Sequence, residues 1–173
     1  MKSKTMEKHR GSSPSKLSCG VITLSDSKYE ESKKGKNTDK SGELIISTVE
    51  KKYPINSYCI IPDEAKKLVP AIETMIDEGI DVIFTTGGTG IGSRDITIET
   101  LSPLFEKELT GFGEIFRAET YKELGSGAIL SRATAGVYKK TLIIAMPGSP
   151  NAVKLALSIV INELNHLVKH LKE

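Results

Sequence analysis

The sequence predicts an α/β fold in three layers: a mostly parallel sheet with helices on both faces and an antiparallel edge hairpin. Three observations carry this. Short runs rich in Val, Ile, Leu and Thr alternate along the chain with stretches of helical period, the order expected of β-α-β-α units. The runs are almost continuously apolar, as strands covered on both faces are. Only Lys139 and Lys140 separate the last two runs, too little chain for a parallel crossover, so that pair must be antiparallel.

Taken in order, residues 19–24, 58–61, 81–86 and 141–146 read as buried strands, with 133–138 as an edge strand. Residues 43–53 place Leu44, Ile45, Thr48 and Val49 on one helical face, with Lys51 and Lys52 at the end where cations suit the helix dipole. Residues 65–78 repeat the pattern with Leu68, Val69, Ile72, Met75 and Ile76, and Gly79 follows where a helix-ending glycine is expected. Pro70 is awkward there, since proline is tolerated only in a first turn; either the regular helix begins near 67–69 or it kinks. Residues 100–108 and 114–124 read as helices, and 151–171 as one long helix whose apolar stripe runs from Ala152 to Leu171.

The chain's 173 residues suffice for one domain, on a prior of about 150 residues each. Residues 1–16 carry Lys2, Lys4, Lys8, Arg10 and Lys16 among Gly, Ser and Pro, with almost nothing to bury, and read as a disordered basic arm; residues 17–173 form the domain. With 38% hydrophobic and 27% charged residues the composition is that of an ordinary globular protein, not a fibrous or disulfide-stapled one. A formal charge of +2 is too balanced for binding nucleic acid or a membrane surface through bulk electrostatics. Two cysteines without zinc-type spacing give neither a disulfide framework nor a zinc site. Without a secretory pattern or a spanning run, the expected location is the cytoplasm.

In an open α/β sheet, ligands bind outside the carboxyl ends of the strands, where loops meet helix N-termini bearing free N–H groups. Those ends read Ser25-Asp26-Ser27, Pro62-Asp63-Glu64, Gly87-Gly88-Thr89-Gly90 and Pro147-Gly148-Ser149-Pro150. Carboxylates and two glycine-containing turns therefore fall on one rim. The stretch from Thr86 to Gly92 holds four glycines, which free the backbone to surround a phosphate or carboxylate with N–H groups. It is neither a Walker loop nor a dinucleotide fingerprint. Arg94 and Asp95 follow at once, with Thr97 and Glu99 behind them; Asp63 and Asp95 are suited to Mg²⁺, a hard ion that shares phosphate oxygens with a substrate. Arg117, on a helix opened by Gly111-Phe112-Gly113-Glu114, and Ser131-Arg132 are further anion candidates. His166 and His170, four apart, read as a polar helix face, and Cys19 and Cys59 as small core residues.

Taken together and in order, these pieces resemble the MoaB/Mog family of molybdenum cofactor biosynthesis proteins. The likeness spans about residue 16 to the C-terminus and includes Asp39-Lys40-Ser41-Gly42, Ile61-Pro62-Asp63-Glu64, Thr85 to Gly90 and Arg94-Asp95-Ile96-Thr97. One departure is Ile98, where many members carry proline. The resemblance implies adenylylation of molybdopterin by MgATP to give adenylyl-molybdopterin and pyrophosphate; the alternative is a molybdopterin-binding carrier that does not catalyse. It implies that Asp63 and Asp95 position Mg²⁺-ATP and that Gly87, Gly88, Thr89 and Gly90 hold phosphate. Pro147, Gly148 and Ser149 would cradle the pterin side. Ser25, Asp26, Thr86, Arg94, Gly113, Glu114, Arg117, Ser131 and Arg132 would complete the binding surface. It also implies a homotrimer or hexamer, with other proteins of the same pathway as further partners.

Overall fold

The computed structural model describes residues 17–173; the basic arm expected over 1–16 lies outside the described residues. The strands are β1 Cys19–Leu24, β2 Ile55–Ile61, β3 Val82–Thr86, β4 Lys107–Glu108, β5 Thr134–Tyr138 and β6 Thr141–Met146. They form one sheet in the order β2-β1-β3-β6-β5-β4. The pairs β1/β2, β1/β3 and β3/β6 are parallel, while β5/β6 and β4/β5 are antiparallel. The expected layering and hairpin are both present.

Alternation along the central strands sends side chains into two cores. Val21, Phe84 and Ile144 point into one, packed by α2 (Lys40–Val49), α5 (Thr110–Leu124), α6 (Pro150–Val160) and α7 (Leu164–Lys172). Ile22, Ile83 and Ile143 point into the other, under α3 (Ala65–Asp77) and α4 (Thr97–Leu101). Of these strand residues none exposes measurable surface, and full burial of each such side chain is worth about 1.5–3 kcal/mol.

Several expectations need correction. The last helix is two: the chain turns between Val160 and Leu164. Both halves face the same core, through Val160 and Leu164, so the apolar stripe runs on across the break and hides it. The helix expected over 100–108 ends at Leu101, passes into a 3₁₀ turn, Ser102–Leu104, that takes Pro103 near its start, and gives way to β4. Because β4 pairs with β5, the strand over 134–138 is not the edge. Helix α2 starts at Lys40, capped by Asp39, and ends at Val49 instead of spanning 43–53. Helix α3 starts at Ala65 and holds Pro70 in its second turn; Pro70 and Lys66 are both exposed, so solvent can take the carbonyl that loses its partner. A helix not anticipated, α1 (Asp26–Lys33), buries no side chain and rests on its Ser25 cap and on the pairs Lys28–Glu31 and Lys33–Glu30.

Candidate functional site

The sheet's order reverses between β1 and β3: from β1 the chain goes outward to β2, and β3 returns on β1's other side. A crevice at this switch point is the expected ligand site. It is there, as a cavity of about 400 Å³ lined by the ends of β1 and β3, Lys28 of α1, the start of α2 and Gly148.

The glycine turn between β3 and α4 forms one wall. Gly87 and Gly88 have φ of 96° and 61°, and a Cβ at Gly87 would lie 2.1 Å from the Leu24 carbonyl oxygen. The turn is tied down by α4: the Thr97 N–H donates to the Gly88 carbonyl at 2.8 Å and the Thr97 hydroxyl to the Gly87 carbonyl at 2.8 Å. The neighbouring turn packs on it, since a Cβ at Gly148 would lie 3.3 Å from the Gly87 Cα, and the Thr86 hydroxyl donates to the Pro147 carbonyl at 3.0 Å.

Acids gather on the turn's other side. Asp63 Oδ1 lies 3.1 Å from the place a Cβ would take on Gly88, and Asp95 Oδ2 lies 2.6 Å from that of Gly90. Asp95 is fixed by the Gly92 N–H, which donates to it at 2.8 Å. Asp63 and Asp26 hold one another through backbone: the Asp26 N–H donates to Asp63 Oδ2 at 3.0 Å and the Asp63 N–H to Asp26 Oδ1 at 3.1 Å. Arg94 then grips both oxygens of Asp26, with its shortest contact 2.7 Å. The two aspartates consequently titrate in opposite directions. Arg94, and then the Asp63 N–H, hold Asp26 below the usual carboxylate range. Burial raises Asp63, and the charges of Asp26 and Asp95 add to that against the pull of the Asp26 N–H and Arg94.

Residues 20–166 match the family model of a probable molybdopterin binding domain. The chain belongs to that family. It is 44% identical over 172 residues to the molybdopterin adenylyltransferase of Pyrococcus furiosus, covering 97% of this chain and 99% of that protein. It is also 44% identical over 173 residues to molybdenum cofactor biosynthesis protein B of Bacillus subtilis, covering 98% of each. The crystal structure of the tungsten cofactor synthesizing protein MoaB from Pyrococcus furiosus superposes with a TM-score of 0.84 at 45% identity, over 93% of this chain and all of that one. The resemblance to the MoaB/Mog family is thereby borne out.

Within this molybdopterin-binding domain the expected residues fall into three groups. Ser25, Thr86, Gly87 and Gly148 line the switch-point crevice. Asp63 and Asp95 meet the turn Gly87–Gly90 on its acidic side, with Asp26 bonded to Asp63 and Arg94 to Asp26. Ser131, Pro147 and Ser149 line a second cavity of about 300 Å³ beside α5 and α6. Ser25 and Ser149 also cap α1 and α6, accepting from the N–H groups of Lys28 and Ala152 at 3.3 Å. Arg132 also reaches the glycine turn: it donates to the Thr89 carbonyl at 2.9 Å and pairs with Glu99 at 2.7 Å. Gly113 is buried on α5, where a Cβ would come within 2.7 Å of the Ala133 carbonyl, while Glu114 and Arg117 are exposed on the same helix.

Spacing along the chain did not single out Lys28, Thr38, Asp39, Lys40 and Ser41 as site residues, yet all line the crevice. The signal was the pattern Asp39-Lys40-Ser41-Gly42 of the family resemblance, which also marks a helix start at the head of an apolar-faced helix. No cluster of three or more His, Cys, Asp or Glu side chains able to hold a metal occurs among the described residues. No helix among them is long and apolar enough to cross a membrane.

Proposed function

We propose that this protein adenylylates molybdopterin with MgATP in the cytoplasm, releasing pyrophosphate, as a step of molybdenum cofactor biosynthesis. The observation that carries the reading is the seating of Asp63 and Asp95 against one glycine turn, in a chain 44% identical over nearly its whole length to a molybdopterin adenylyltransferase. In the reaction an oxygen of the terminal phosphate of molybdopterin attacks the α-phosphorus of ATP, and the bond to the bridging oxygen breaks as pyrophosphate leaves. Such transfers rest on positioning and charge neutralisation and need no protein nucleophile. The N–H groups of Gly88, Thr89 and Gly90 hold phosphate oxygens, that of Gly87 being taken by the Met146 carbonyl at 3.1 Å; Lys28 and Lys40 supply positive charge on the crevice side, and the Pro147–Ser149 turn holds the pterin.

The acidic side fits Mg²⁺. Its donors are hard carboxylate oxygens, and Asp63, raised by burial and by two neighbouring acids, is a group whose charge a divalent ion would favour. Asp63 and Asp95 would hold the ion together with phosphate oxygens, which it would help to neutralise. A homotrimer or hexamer belongs to the same reading; the exposed apolar residues Leu124, Ile129 and Leu130 supply surface for self-association.

Incubating the purified protein with molybdopterin and MgATP and measuring pyrophosphate tests the reading. Release that requires both substrates is expected; tight molybdopterin binding without release would instead identify the carrier.

A further inference from the structure

The crevice has a wall that neither the acids nor the glycine turn builds. Asp39 is 2% exposed, and no cation pairs with it among the described residues. Neutral donors satisfy it. The Thr23 hydroxyl of β1 donates at 2.6 Å and the Tyr58 hydroxyl of β2 at 2.7 Å to one oxygen, and the Gly42 N–H donates at 2.9 Å to the other. Burial and this bond push the Tyr58 phenol up, so it stays a donor. One buried carboxylate thus pins the first turn of α2 to the end of β1 and the middle of β2. There is no slack: a Cβ on Gly42 would fall 2.1 Å from Asp39 Oδ2 and 2.8 Å from the Thr23 hydroxyl.

From that fixed turn Ser41, nearly buried, donates its hydroxyl at 2.7 Å to the carbonyl of Gly148, 107 residues away. Both carbonyls at the head of the Pro147–Ser149 turn are therefore taken by hydroxyls. Thr86 takes Pro147 from the adjacent strand, a local tie, whereas Ser41 takes Gly148 from α2. We propose that Ser41, anchored through Asp39, Thr23 and Tyr58, is a positioning residue that fixes the Pro147–Ser149 turn for molybdopterin. This rests on the functional reading above, which gives that turn the pterin side. Residues that act by holding a substrate at a set angle lose much when they shift by about 1 Å.

Ser41→Ala removes the tie and leaves the Asp39 cap intact. The expected result is a molybdopterin KM raised about tenfold with the MgATP KM within about twofold and the thermal midpoint retained. The change should be reproduced more weakly by Tyr58→Phe, which loosens the anchor one step further back. A merely structural role would lower the active fraction, cutting kcat and leaving both KM values alone; that result, or unchanged kinetics, overturns the proposal. If the wild type releases no pyrophosphate, the activity reading fails separately, and the tie is read from molybdopterin binding by calorimetry. About tenfold weaker binding in Ser41→Ala then sustains it. Equal binding, or no binding by the wild type, ends it.

Discussion

Two turns of this sheet have consecutive residues in the left-handed region. One is Gly87-Gly88 after β3, with φ of 96° and 61°; the other is Lys139-Lys140 between β5 and β6, with φ of 47° and 63°. Since β3 and β6 are parallel, the first sits at the site end of the sheet and the second at the opposite end. The backbone conformation is similar, yet one turn is glycine and the other lysine. The difference lies in space. At Gly87 a Cβ would lie 2.1 Å from a backbone oxygen, whereas both lysines are exposed and Lys139 Nζ reaches Glu73 at 2.6 Å. A left-handed residue with a side chain costs about 1–2 kcal/mol, which a small domain can offset; a blocked Cβ has no such remedy.

The strongest way to break the contrast is Gly87→Ala. The methyl meets the Leu24 carbonyl, which belongs to β1 and cannot step aside without opening the sheet at the crevice. We expect a loss of about 3 kcal/mol in urea unfolding, together with loss of nucleotide binding. Wild-type stability in this variant would show that the turn has room and that its glycines are not a spatial requirement.

Next comes Asp95→Asn. Its amide oxygen can still accept the Gly92 N–H, so the turn should keep its shape and the unfolding midpoint should stay close to wild type. What disappears is the charge. A fall in kcat of about 10²–10³ is expected, the scale for removing one electrostatic contact to a reacting group. Molybdopterin binding should persist, and full turnover by the variant would remove Asp95 from the chemistry.

These two cases mark what the sequence discloses. Strands β1 and β6 fall on the expected boundaries because burial on both faces leaves an unbroken apolar run. Strand β2 begins at Ile55, three residues before the expected 58, because Asn56 and Ser57 lie on a sheet-edge strand and carry no apolar signal. The two-residue β4 and the apolar-poor α1 are silent for the same reason. At the candidate site, the meeting of Asp63 with the glycine turn was readable because the strand-end rule assigns both one rim, and that of Asp95 because it follows the turn at once. Ser41 and Asp39 stood out only as part of the pattern Asp39-Lys40-Ser41-Gly42, with no role attached, since their part depends on where α2 meets a turn 107 residues further along.

A smaller effect sharpens the site end itself. Asp26 and Asp63 exchange backbone hydrogen bonds but lie on opposite sides of the ordinary value of 3.8. The linkage signs therefore oppose. Asp26 contributes stability above its ordinary pKa that is lost as pH falls through its depressed folded value. Asp63 contributes stability at low pH that is lost as pH rises through its raised one. Carbon-detected carboxyl titrations should place Asp26 below 3.8 and Asp63 above it. In Arg94→Gln both should move up, since Arg94 lowers each, with Asp26 moving further for losing its hydrogen bonds as well. An unmoved Asp26 would mean that this exposed pair does not persist in solution.

The smallest effect belongs to the far turn. Lys140→Gly relieves a left-handed side chain and leaves the Lys139–Glu73 pair in place. Glycine's extra freedom in the unfolded chain takes back part of that gain, so the net should be a stabilisation of about 0.5–1 kcal/mol by urea unfolding. Pyrophosphate release should match the wild type, because the turn precedes β6 while the site follows it. If the variant is no more stable, the two lysines carry no strain. The contrast between the turns would then rest entirely on the blocked Cβ at Gly87.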